Sequence, residues 1–167
     1  QYYHHVAAFP TYLSAVHAKC DDQSTRKELL NNLIDEEAGS PNHPELWLNF
    51  AEGLGVSTRD AQNAEKWPET KNLIDTFRSV CRDGSTAEGL AALYAYESQI
   101  PAICESKIDG LKKHYGFADP KHYEYFSVHI EADREHAAVH LHDAPAGPDA
   151  GPSGLREPFF APLCSRA

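Results

Sequence analysis

At 167 residues and 18.5 kDa the chain has the length of one domain, which excludes two full domains with separate cores. Fifteen Lys and Arg against 25 Asp and Glu give a formal charge of −10, and no dense basic block interrupts it, so nucleic-acid binding is disfavoured. Apolar residues make up 41% of the chain, above the range of disordered sequences, and no apolar run is long enough to span a bilayer.

Apolar residues spaced by three and four, with caps at the boundaries, predict helices for nearly everything up to His142, and strand alternation is absent. The first helix covers residues 2–18, with Val6, Phe9, Leu13 and Val16 on one face and Pro10 as a kink. A second begins after Ser24 or Thr25, where Thr25 and Glu28 form a capping box, carries Leu29, Leu30 and Leu33, and stops before Gly39. The third opens with Asn42 as cap and Pro44 in the first turn, presents Leu46, Trp47, Phe50 and Leu54, and ends at Gly55.

Ser57 with Asp60 marks a minor helix, and Pro68 opens another that runs through Leu73, Ile74, Phe77 and Val80 to Gly84. Ser85 and Glu88 form a second capping box for a long helix bent at Pro101 and ended by Gly116. The last helix starts at Asp119 and Pro120 and runs to about Leu141. Residues 1–143 therefore read as the helical domain. The stretch 144–167, with five Pro and three Gly and no period, reads as a disordered or aberrant tail.

The chain begins at Gln1 and contains no Met, so its natural start is expected upstream, and no secretory leader is visible. Cys20, Cys81, Cys104 and Cys164 form no CxxC pair, which fits buried thiols in a reducing compartment and a cytoplasmic protein.

Histidine is the outlier: four of the ten fall between His129 and His142. His129, Asp133 and His136 are spaced i, i+4 and i+7, so at 3.6 residues per turn they fall within about 60° of one another on one stripe of the last helix. Imidazole and carboxylate on a shared stripe suit a first-row transition metal, and a solvated face pairing His with Asp is the plainer alternative. Glu36 and His43 flank a Gly/Pro turn that can fold them together, unless each is simply a surface group. Glu97 sits among apolar residues before the Pro101 bend, where a carboxylate needs a metal, Lys or Arg as partner. Together the six make a dinuclear carboxylate and histidine inventory of the kind that helix bundles hold, and mixed N/O donors favour Fe, Mn or Zn.

The runs Tyr2-Tyr3 through Ala8-Phe9-Pro10 with Tyr12-Leu13-Ser14-Ala15, then Asn42-His43-Pro44-Glu45-Leu46-Trp47, then Ala92-Leu93-Tyr94-Ala95-Tyr96-Glu97-Ser98-Gln99-Ile100-Pro101 resemble the chlamydial death-domain-associating protein family of para-aminobenzoate synthases. The similarity covers about residues 1–137 and preserves the spacing of all six donors. It implies an all-α, haem-oxygenase-like bundle related to TenA and PqqC-type proteins, lacking here its first and last helices. It further implies two metal ions, as Fe2 or Mn/Fe, with dioxygen and a reductant as partners, and an oxidative route to the folate precursor para-aminobenzoate.

Carried over, Glu36, His43, Glu97, His129, Asp133 and His136 match the metal ligands, Tyr96 the nearby tyrosine, and Lys107 the lysine implicated as amino donor. On residue chemistry alone, Lys107 reads as an exposed helix lysine and Tyr96 as a core aromatic.

The tyrosine that the family consumes is expected upstream of Gln1, so this chain by itself is expected to bind metal without making product. Loss of a closing helix is expected to leave an apolar groove that favours a homodimer. Two other readings stay open: a cofactorless TenA- or PqqC-like protein that binds a small aromatic or heterocyclic molecule, and a metal-free interaction scaffold.

Overall fold

The computed structural model describes residues 1–130, and every regular element among them is helical. The helices are α1 (Tyr2–Val6), α2 (Phe9–Lys19), α3 (Gln23–Glu37), α4 (His43–Gly53), α5 (Thr58–Asn63), α6 (Pro68–Asp83), α7 (Thr86–Glu97) and α8 (Ile100–Tyr115). A 3-10 turn, Pro120–His122, follows, and helix resumes at residues 124–130. The bundle agrees with the all-α class expected above. The stretch 144–167, and with it the boundary drawn after residue 143, lies outside the described residues.

The chain's local chemistry accounts for most boundaries. Asn42 with Glu45, and Ser85 with Glu88, form reciprocal capping boxes at the starts of α4 and α7, satisfying backbone N–H groups that a helix start otherwise leaves orphaned. Gly116 adopts φ +68° after α8, a left-handed conformation that costs a side-chain-bearing residue far more than glycine.

Three boundaries differ from expectation. Residues 2–18 form two helices rather than one kinked helix. Pro10 stands in the first turn of α2, and because its ring would clash with the carbonyl of Val6 the break falls just before it, at Ala7 and Ala8. α3 starts at Gln23 because Asp22 is the cap, its carboxylate accepting from both the backbone N–H and the hydroxyl of Thr25, so the Thr25–Glu28 pair lies inside the helix. The bend at Pro101 is a break, with α7 ending at Glu97 and α8 beginning at Ile100.

α2 lies at the centre, packed on α3, α6 and α7, while α1 leans on α4 and α6. One apolar cluster gathers Tyr12, Leu13, Val16, Leu29, Cys81, Leu90 and Leu93. A second gathers Val6, Leu46, Ile100, Cys104, Ile108, Tyr125 and Phe126. Tyr96 packs against both. At about 1.5–3 kcal/mol per buried large apolar side chain, these clusters supply the main driving force for the bundle. Cys20, Cys81 and Cys104 are buried thiols without a disulfide, and burial pushes the Cys81 thiol up to about 11. An open groove of about 370 Å³ runs between α4 and α8, walled by Trp47, Phe50, Leu111 and Phe126.

Candidate metal centre

The seam between the two apolar clusters is polar. The buried stripe of α3 is Thr25, Leu29, Asn32 and Glu36, whereas Leu30 and Ile34 are exposed at 42% and 49%. Glu36 thus points inward from the last turn of α3, one turn beyond Asn32. His43 begins α4 after the turn that holds Pro41, and Glu97 closes α7 at the break before α8. His129 reaches in from residues 124–130.

All four side chains are buried, Glu97 to 1% exposure. A carboxylate taken out of water without compensation costs several kcal/mol, so two of them in one seam require positive charge, protons or donors nearby.

Three of the donors converge. Glu36, His43 and His129 each offer a ligand atom, and these atoms lie within 4.8 Å of one another. His43 Nδ1 is 3.1 Å from Glu36 Oε1, yet it makes no hydrogen bond among the described residues, because the angles are wrong for one. His129 Nε2 is 4.0 Å from the same oxygen, and the two imidazole rings are 4.3 Å apart between centroids. Glu97 joins Glu36 and His129 in lining a small cavity, with Val6, Phe9, Tyr96 and Tyr125 as its remaining walls.

The tautomer of His129 follows from its neighbour. Its Nδ1 is 2.6 Å from the carbonyl oxygen of Tyr125, and a carbonyl can only accept, so Nδ1 carries a proton and Nε2, on the side of Glu36, is the nitrogen left for a metal. That is the arrangement by which metal-binding histidines are held. Glu97 is fixed in a similar way, its Oε1 accepting from Asn32 Nδ2 at 2.8 Å. Buried nitrogen and oxygen donors, oriented from behind and gathered from different helices, fit a first-row transition metal.

Asp133 and His136 lie outside the described residues, so the cluster described is four of the six expected donors. Tyr96 lines the cavity, and its hydroxyl is hydrogen-bonded to that of Tyr2. Lys107 is exposed on α8 and does not line the cavity; its ammonium stands 5.4 Å from the centroid of the Tyr2 ring and 5.3 Å from that of Phe126. Tyr2 therefore bridges Lys107 and Tyr96.

The sequence reading overlooked Asn32 and His5. An amide at i−4 from a predicted ligand was the available signal for Asn32. His5 is 1% exposed among the rings of Tyr2, Phe9, Tyr12, Phe77 and Tyr96, and burial lowers its pKa to about 4.

Comparison with known proteins agrees with this chemistry. A family model described as iron-containing redox enzyme matches residues 1–152. The 4-aminobenzoate synthase of Chlamydia pneumoniae is 50% identical over 137 residues, covering 82% of this chain and 61% of that protein. The 4-aminobenzoate synthase of Nitrosomonas europaea is 50% identical over 146 residues, covering 82% and 59%. The pyrroloquinoline-quinone synthase of Bradyrhizobium diazoefficiens is more distant, 30% identical over 127 residues, covering 74% and 49%. The chain thus spans about three fifths of the 4-aminobenzoate synthases it matches. Its helical bundle, its buried donors and the match over residues 1–152 make it a member of the haem-oxygenase-like family of iron-containing redox enzymes.

Proposed function

We propose that the chain carries the two-metal site of an oxygen-activating redox enzyme that makes 4-aminobenzoate, with Glu36, His43, Glu97, His129, Asp133 and His136 as ligands and Fe2 or Mn/Fe as the metal pair. The observation that carries this reading is the buried cluster of Glu36, His43 and His129, whose ligand atoms lie within 4.8 Å of one another. Half-identity to two 4-aminobenzoate synthases supports the product. Dioxygen and a reductant are the co-substrates, the protein is cytoplasmic, and the exposed α4–α8 groove favours a homodimer.

A bound metal pair would supply electrons to dioxygen. The protein's part is placement. His43 and His129 would give the nitrogen donors, Glu36 Oε1 stands 3.1 Å from one and 4.0 Å from the other, and Glu97 brings a second carboxylate. Val6, Phe9 and Tyr125 exclude bulk water from the cavity, which strengthens every electrostatic contact inside it. Tyr96 and Lys107 are the catalytic residues of the proposal. The Tyr96 hydroxyl, hydrogen-bonded to that of Tyr2, can exchange a proton at the cavity wall, and Lys107 supplies the amino group.

Metal analysis tests the reading. Protein purified with and without oxygen and supplied with Fe(II), alone or with Mn(II), is expected to hold two metal equivalents. His129→Ala is expected to lose at least one of them while helicity by circular dichroism stays nearly unchanged. A protein that takes up no metal under either condition would favour the cofactorless reading instead.

A further inference from the structure

Asn32 sits fully buried on the inward face of α3, in the polar seam between the two apolar clusters. Thr25, Leu29, Asn32 and Glu36 follow one another at helical spacing along the buried stripe, and Asn32 is 1% exposed. A buried amide is tolerated when its hydrogen bonds are made, and Asn32 makes only one: Nδ2 donates to Glu97 Oε1 at 2.8 Å, from α3 to α7 across the bundle. Its Oδ1 is buried and has no hydrogen-bond partner among the described residues. With the nitrogen on Glu97, the oxygen of the planar amide turns away from it. The amide therefore serves Glu97 and nothing else that the described structure shows.

We propose that Asn32 is a positioning residue of the metal centre, which holds Glu97 by Oε1 and thereby sets the direction in which Oε2 is offered to a metal ion. The proposal rests on Glu97 being a ligand. Two features of the geometry support it. Asn32 stands one turn before Glu36 on the same helix, so a single rigid element presents one carboxylate of the site and orients the other. Glu97 ends α7 just before the Ser98–Gln99 break, where its own helix restrains it least, so the restraint has to come from another element. The amide also has the right charge for the role. A Lys or Arg at this place would neutralise the carboxylate and compete with the metal, whereas a neutral donor orients it and leaves its charge intact.

The test compares Asn32→Asp, which keeps the shape but removes the donor, and Asn32→Leu, which removes all polarity, in the full chain with and without Glu97→Gln. Anaerobic titration with Fe(II) and with Mn(II) gives stoichiometry and affinity, and the electron paramagnetic resonance spectrum of the Mn(II)-loaded protein reports ligand symmetry. Circular dichroism confirms that each variant is folded. Both substitutions are expected to weaken one of two metal equivalents by about 10–100-fold and to change the Mn(II) spectrum. In the Glu97→Gln background they are expected to add almost nothing, because the residue they act through is already altered.

A structural role alone would weaken binding equally in both backgrounds, and that result would overturn the proposal, as would folded variants with unchanged affinity and spectrum. Wild-type protein that binds no second equivalent would reject the two-metal reading itself, and this proposal with it. Should Asn32→Leu fail to fold, Asn32→Asp, which matches the native volume, decides the question.

Discussion

The His43 ring and the Glu36 carboxylate approach to 3.1 Å across the α3–α4 turn, close enough for a hydrogen bond yet without the geometry of one. Two lone-pair donors this close, buried at 7% and 4% exposure, repel each other unless a cation or a proton stands between them. The turn Gly39–Pro41 brings the end of one helix to the start of the next, and the capping box of Asn42 and Glu45 fixes where α4 begins, so the pair is set by local sequence rather than by adjustment of the core.

Glu36→Gln should separate what the carboxylate does for the metal from what it does for the fold. The amide has the same shape without the charge, so metal affinity is expected to fall by at least about 100-fold, the upper range for loss of a supporting residue. Circular dichroism should show the metal-free variant folded like metal-free wild type, because glutamine matches glutamate in shape. Added Fe(II) should then raise the melting temperature of wild type and leave that of the variant unchanged. Equal shifts for both proteins would show that Glu36 is not a ligand.

Lys107→Ala addresses a residue placed away from the donors. In the full-length protein the variant is expected to abolish 4-aminobenzoate formation with both metal equivalents retained. Its ammonium stacks over Tyr2 and Phe126 at the surface, so its loss should cost no more than about 1 kcal/mol of stability. Mass spectrometry of the product and metal analysis of the same sample decide between a chemical role and none.

His5 gives the fold a pH dependence with a definite sign. Burial holds its folded-state pKa near 4, below the usual 6.5, so between those values the unfolded chain binds a proton that the folded chain refuses. Stability from this group is complete above about pH 6.5 and is lost as the pH falls towards 4, by about 3 kcal/mol in total. His5→Phe, which suits a cage of five aromatic rings, should remove that part of the acid sensitivity. Urea unfolding of metal-free protein at pH 7 and pH 4.5 measures it, and an unchanged difference between the two pH values would assign the sensitivity elsewhere.

The helices were legible where local chemistry decides them. Asn42, Ser57, Ser85 and Gly116 ended or began elements as their side chains and backbone preferences require. The start of α3 was misplaced because Asp22 and Thr25 are both good caps, and only the geometry of the hydrogen bonds chooses between them. Leu30 was placed on the apolar face but is exposed, because Asn32 and Glu36 take the buried stripe; a hydropathy pattern cannot show a polar seam between two cores. The burial of Glu36, His43, Glu97 and His129 in one seam was foreseeable from spacing and family resemblance, and their role as ligands is what the metal titrations test. Asn32 was legible only as an amide one turn before Glu36; its bond to Glu97 on another helix leaves no trace in its own neighbourhood.

Gly89→Ala tests the packing that carries these donors. Gly89 lies near the start of α7, where α7 crosses α2, and a Cβ built there would come within 2.6 Å of Val16 Cγ2. Alanine is the better helix former by up to about 1 kcal/mol, so on propensity alone the variant would be more stable. Val16 is fully buried and hemmed in by the central cluster, so it has nowhere to move, and overpacking of this kind costs about 1–3 kcal/mol. The clash should win by about 1–2 kcal/mol, lowering the melting temperature by roughly 2–8 °C. Val16→Ala removes the offending methyl group, so the double variant should be more stable than the sum of the two single changes predicts. Additive losses would mean that α2 and α7 are spaced more widely than the structure shows, and a stabilised Gly89→Ala single variant would say the same more directly.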